Sequence, residues 1–160
     1  MKPKKFFAYA AVIIFAAGGA IWYIINDYYT RQDGTASNKA EVVMYKNAGC
    51  QCCEKWAEYM QGSGYSVKSV AAENLYAVKS DEGIPQNMSA CHTSVIGDYV
   101  VEGHVPAEDI RRLLKEKPDA RGLVVPGMPA SSPGMNTAFG EPYKVYLLKN
   151  DGSTELYAQH

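Results

Sequence analysis

Charge of one sign is what this sequence most obviously lacks: 16 basic residues face 17 acidic ones, for a net charge of -1. That balance removes the electrostatic footprint of a nucleic-acid-binding surface. Cysteine is scarce at 4 residues and histidine at 3. Four cysteines are too few for a small fold built on a dense disulfide framework. There is no long internal repeat, and no residue pattern supports hydrolytic catalysis. The 160 residues are too few for two full domains but enough for one with an appendage. With 47% apolar and 21% charged residues, the composition is not that of a disordered chain.

What is present begins at the N-terminus. Phe6 to Ile25 carries no charge and no proline. At about 1.5 Å per residue it reaches about 30 Å, the thickness of a bilayer core. Lys2, Lys4 and Lys5 precede it, so the positive-inside rule keeps the N-terminus in the cytoplasm and sends the rest across. Trp22, Tyr23, Tyr28 and Tyr29 gather at the far end, where interfacial aromatics belong. A cleaved signal peptide is the rival reading, with Gly18-Gly19-Ala20 as the small residues. The apolar run continues past that point as Ile21-Trp22-Tyr23-Ile24-Ile25, which favours an uncleaved anchor. Residues 1–25 are therefore expected to be a membrane anchor or signal sequence, 26–40 a flexible linker, and 41–160 one compact domain. Beyond residue 25 the chain has 13 basic against 17 acidic residues, so the exported part is net acidic.

Within that domain, Val42 to Tyr45 reads as a short buried strand, Glu54 to Gln61 as a helix and Tyr65 to Val70 as a second strand. Glu73 to Ser80 reads as a short helix. Thr93 to Ile96 and Tyr99 to Glu102 flank Gly97-Asp98 as a hairpin. Pro106 to Lys117 is the clearest helix, with Ala107, Ile110, Leu113 and Leu114 on one face and Pro118 as its stop. Tyr143 to Leu148 and Thr154 to Tyr157 flank Asp151-Gly152 as another hairpin. This order predicts an α/β fold, a thioredoxin-like mixed sheet with flanking helices. The helix between the first two strands favours their parallel pairing.

The chemistry concentrates in Cys50-Gln51-Cys52-Cys53, a C-x-x-C pair with a third cysteine inside it. It follows a predicted strand and opens a predicted helix. Unpaired N–H groups and the partial positive charge there stabilise thiolate, which both attacks disulfides and binds metal. A plain disulfide is the bland alternative, although a Cys50–Cys53 bridge closes too small a loop to stabilise much. A single tetrahedral zinc would need the adjacent Cys91 and His92 as its second pair; neighbours in an extended segment point to opposite faces, so closing both on one ion would need a bend. Three clustered thiols plus Cys91 better suit a soft ion such as Cu(I). His92 adjoins Cys91, and His104 follows the hairpin; both are candidate ligands, while His160 is expected to play no part. Met128 and Met135 lie in a duplicated Pro-Gly-Met turn, where thioether is either a soft ligand or plain packing. Met44, Met60 and Met88 are read as packing residues.

Together these segments resemble the CopG-like copper-resistance proteins of bacteria, often called metal-binding proteins and long described only as a domain of unknown function. The residues that carry the resemblance are Tyr45-Lys46, Cys50 to Trp56, Ser89 to Thr93, Val101 to Ile110, Pro118 to Leu123, Pro126 to Pro129 and Ser132 to Met135. The resemblance implies a thioredoxin-like fold in the periplasm and a copper cluster held by cysteines and a histidine. Carried over residue by residue, Cys50, Cys52, Cys53 and Cys91 become copper ligands, with His104 or His92 as a nitrogen ligand or neighbour. It also implies interconversion of Cu(I) and Cu(II). The long apolar N-terminus departs from that pattern and favours tethering on the periplasmic side of the inner membrane, or a soluble periplasmic protein if it is cleaved. The expected partners are copper ions, the membrane and other periplasmic copper-handling proteins, not nucleic acid. A thiol–disulfide oxidoreductase using Cys50 and Cys53 is the competing expectation, and a structural zinc protein a third.

Overall fold

The computed structural model describes residues 39–135 and 141–160, with Gly19 and residues 21–23 of the N-terminal segment. Contacts divide the chain into residues 1–38 and 39–160. In the first unit Gly19 and residues 21–23 are helical, and Ile21, Trp22 and Tyr23 are exposed. Among the described residues no helix is long and apolar enough to cross a membrane. The rest of the expected anchor and the expected linker lie outside the described residues, apart from Lys39 and Ala40.

The second unit is a mixed α/β layer structure. Its elements run β1 (Glu41–Lys46), α1 (Gln51–Gly62), β2 (Ser66–Ala71), α2 (Leu75–Asp81), a 3₁₀ turn (Gln86–Met88), β3 (His92–Ile96), β4 (Tyr99–Glu102), α3 (Ala107–Glu116), β5 (Gly122–Val124), β6 (Lys144–Leu148) and β7 (Thr154–Gln159). The strands form one sheet in the order β2-β1-β3-β4-β5-β6-β7. β1 and β2 pair in parallel, as the intervening helix predicts, and β3–β4 and β6–β7 are antiparallel hairpins.

Two elements differ from expectation. α1 begins three residues earlier than its apolar periodicity suggests, with Cys50 as N-cap, so Cys52 and Cys53 belong to its first turn. β5 was not anticipated: it has three residues and opens on a glycine. A Cβ on Gly122 would lie 1.7 Å from the Val100 carbonyl oxygen, so this close parallel pairing with β4 requires glycine.

Successive residues of a strand face opposite sides of the sheet. Val101, Leu123 and Leu147 therefore join one buried cluster with Trp56 and Met60 of α1 and Ile110 and Leu113 of α3. Their neighbours Val100, Val124 and Leu148 join a second cluster with Ile84, and Met88 packs against it. Met44 and Met60 are fully buried packing residues, as read from the sequence. On α2, Leu75 and Lys79 are buried one turn apart, on a single face.

The same alternation places a buried charge beside the strand ends. Thr93 and Glu102 are register partners on β3 and β4. The Lys79 ammonium donates to Thr93 Oγ1 at 3.0 Å and Glu102 Oε1 at 2.5 Å. Glu102 also accepts from the Ala90 N–H at 2.5 Å and the Thr93 hydroxyl at 2.6 Å. A buried carboxylate persists only when paired and hydrogen-bonded in this way. Its contact with Ala90 fixes the residue immediately before Cys91.

Candidate metal centre

The site lies where the N-terminus of α1 meets the start of β3. Gly49 takes φ +76°, a conformation that glycine adopts without strain, and it turns the chain from β1 into the Cys50 cap. No side chain caps α1; the Cys50 carbonyl accepts the Glu54 N–H at 3.3 Å. The cysteines thus stand at the end of the helix where free N–H groups concentrate.

The sulfurs of Cys50, Cys52, Cys53 and Cys91 all lie within 4.8 Å of one another. Cys50 and Cys53 are joined in a disulfide, and Cys52 and Cys91 are free. Cys52 Sγ is 3.6 Å from Cys50 Sγ and 4.0 Å from Cys91 Sγ. A second group overlaps the first: the sulfur of Cys91 and the ring nitrogens of His92 and His104 also lie within 4.8 Å of one another. The bend that a shared ion would need is present: Cys91 sits in a bend before β3 rather than in the strand, so it and His92 can face the same point.

The two histidines differ. His104 Nδ1 is 2.6 Å from the Pro133 carbonyl oxygen. That oxygen can only accept, so Nδ1 carries the proton and Nε2 turns a lone pair toward Cys91 Sγ, 3.0 Å away. His92 directs Nδ1 at Cys91 Sγ, 3.5 Å away, and its buried Nε2 has no hydrogen-bond partner. Its ring packs 4.5 Å from that of Trp56. Burial lowers both histidine pKa values, that of His92 strongly, with His104 and then Lys79 adding to the effect. The Pro133 hydrogen bond partly opposes the shift in His104. Burial, reinforced by neighbouring Cys52, pushes the Cys91 thiol up to about 12. At neutral pH the pair is therefore a thiol donating to a neutral imidazole.

The Pro-Gly-Met segment lies over this group. The Gly127 N–H donates to the Ser89 carbonyl at 3.1 Å, and Gly127 bridges Ala90 in parallel. A Cβ on Gly134 would meet Trp56 N at 2.7 Å and Cys52 O at 3.1 Å, so this turn sits directly against the first turns of α1. Met135 is half-buried within it. Met128 is 55% exposed, one residue beyond the Gly127 bridge. His160 also has a partner: its Nε2 lies 2.7 Å from Asp109 Oδ2, on a different part of the domain.

The sequence reading missed Lys79, Glu102 and Pro133. A lysine and a glutamate 23 positions apart give no signal of pairing, and a backbone carbonyl gives none at all. The donor set of soft sulfur and borderline imidazole fits a thiophilic metal once the disulfide is reduced. Even with the disulfide intact, Cys52 and Cys91 offer soft sulfur and His104 a borderline nitrogen.

Fold and site together define a class: an α/β domain that gathers cysteine and histidine at a helix N-terminus, with chemistry suited to metal. Comparison with known proteins gives the family. Residues 88–135 match the family described as "Protein of unknown function, DUF411". Two solved structures, "Copper resistance protein copG" forms 2 and 1, are each 37% identical to this chain and cover 77% of it. The match spans 99% and 98% of those chains, with TM-scores of 0.74 and 0.73. No curated protein matches. The chain belongs to the CopG family of copper resistance proteins, as the sequence resemblance implied.

Proposed function

We propose that this protein binds copper in copper resistance, with copper as its cargo. Cys50, Cys52, Cys53 and Cys91 supply thiolates, and His104 supplies Nε2. The observation that carries this reading is the convergence of four cysteine sulfurs within 4.8 Å in a member of a copper-resistance family. Soft thiolates suit Cu(I), held as a single ion or a multinuclear cluster, and imidazole tunes Cu(I) against Cu(II). The fixed tautomer of His104 favours it over His92 as the nitrogen ligand. Met128 and Met135 are thioether donors on the covering segment, available as supporting ligands. The bend at Cys91 removes the geometric objection to zinc, so family membership is what favours copper.

The strand order 2-1-3-4, with α1 between β1 and β2, α2 between β2 and β3 and α3 after β4, supports a thioredoxin-like core, to which β5, β6 and β7 are added. The charge-free run from Phe6 to Ile25 supports export and tethering to the inner membrane, with the metal domain on the periplasmic side beside other copper-handling proteins. The Cys50–Cys53 disulfide supports a second reading, a thiol–disulfide oxidoreductase.

Copper loading under reducing conditions, followed by metal analysis, tests the first reading. Retention that is lost in Cys52→Ser and Cys91→Ser variants is expected; retention independent of cysteine contradicts it. An insulin-reduction assay tests the second. Equal inactivity of the native chain and Cys50→Ser, with copper still bound, would sink the oxidoreductase reading.

A further inference from the structure

A cleft of about 600 Å³ opens beside the sulfurs, lined among others by Asn47, Cys50, Tyr76, Gln86, Ser89 and Cys91. Its volume falls in the range of small-molecule sites. It reaches the two ends of the disulfide unequally: Cys50 lines the cleft and is half-exposed, whereas Cys53 is fully buried against the core. A nucleophile arriving there meets Cys50 Sγ, and Cys53 is the natural leaving group.

We propose that this cleft binds a low-molecular-weight peptide thiol, which reduces the Cys50–Cys53 disulfide to two cysteine thiols. The thiolate of the first molecule bonds to Cys50 Sγ, and the Cys50–Cys53 bond breaks with its electron pair going to Cys53. A second thiolate attacks the small molecule's sulfur in the mixed disulfide and releases Cys50. Two small thiols become one small disulfide, two electrons pass to the protein, and the two thiol protons end on Cys50 and Cys53.

Two observations favour a small thiol over a cysteine-bearing protein. The backbone edge beside Cys91, where an incoming extended chain would pair, is already taken by the chain's own Gly127. The lining offers the amides of Asn47 and Gln86 and the hydroxyl of Ser89, groups that match the amides and carboxylates of a short peptide; Lys79 and Glu73 are its charged members, and Tyr76, 70% exposed, stands at the rim. The inference goes beyond the copper reading, because this reduction needs no metal.

The test uses the metal-free full chain with its disulfide intact, reduced by glutathione or by 2-mercaptoethanol. Rates are normalised to thiolate concentration. The expected result is saturation with glutathione and a linear dependence with 2-mercaptoethanol. The double variant Asn47→Asp/Gln86→Glu should slow the anionic peptide thiol about tenfold and the neutral one by less than about twofold. In a Cys53→Ser variant, glutathione disulfide should leave its adduct on Cys50. Linear kinetics with equal normalised rates for both thiols, an equal effect of the double variant on both, or an adduct on Cys52 or Cys91 would overturn the proposal. The kinetic comparison in the native chain stands even if Cys53→Ser does not fold. Loss of copper binding with these rates intact would count against the copper reading alone.

Discussion

The two halves of the candidate metal centre are built on different principles. The helix side, Cys50 to Cys53, is local: four consecutive residues on one turn, with Cys50 and Cys52 half-exposed and Cys53 buried, and able to change covalent state. The strand side, Cys91, His92 and His104, is assembled from a bend, a strand and a loop. It is backed by a buried Lys79–Glu102 ion pair and by the Pro133 carbonyl. The helix side can therefore switch chemistry while the strand side holds its donors in place.

Lys79→Met attacks the support of the strand side and has the largest expected effect. It leaves Glu102 buried without its cation, a loss of about 3–5 kcal/mol. Urea unfolding of metal-free protein should show that loss, with partial recovery in Lys79→Met/Glu102→Gln. A single variant as stable as the native chain would show that the buried charge does not hold this half together.

Acid should act next, and on the same half. His92 and His104 are buried neutral, with folded pKa values below the ordinary 6.5. As pH falls through that value the unfolded chain takes up protons that the folded one refuses. Stability is thus complete above about pH 6.5 and falls below it, by up to about 1.4 kcal/mol per pH unit for each histidine, until the folded pKa is reached. Thermal melts of metal-free protein between pH 7.5 and 5.5 should show the fall, reduced in His92→Gln. A flat profile would contradict the burial assigned to these rings.

Gly134→Ala probes the contact between the covering segment and the helix side. With φ +86° and Trp56 N at 2.7 Å from the added Cβ, the turn must shift, at a cost of about 1–2 kcal/mol. His104 loses its fixed tautomer if Pro133 moves with it. Increased alkylation of Cys52 and Cys91 by a small reagent should accompany the loss; unchanged alkylation would mean that the segment does not cover the sulfurs.

Legibility in the sequence follows the same division. The helix side could be read because its residues are adjacent, and the hairpins and α3 because alternation and helical spacing are local patterns. The burial of Lys79, the partner of His104 and the short strand opening on Gly122 could not, since each depends on a residue far along the chain. That a shared ion would need a bend at Cys91 could be read from the alternation of strands; that the bend is there could not.

The central claim of the proposed function is that both halves hold copper through sulfur, as a single ion or a cluster, with one imidazole from the strand side. X-ray absorption at the copper edge of reduced, copper-loaded protein tests it most directly. The account predicts a sulfur-dominated shell that loses sulfur in both Cys52→Ser and Cys91→Ser, and a nitrogen contribution that disappears in His104→Gln but persists in His92→Gln. A shell of nitrogen and oxygen, or one unchanged by Cys91→Ser, would contradict it.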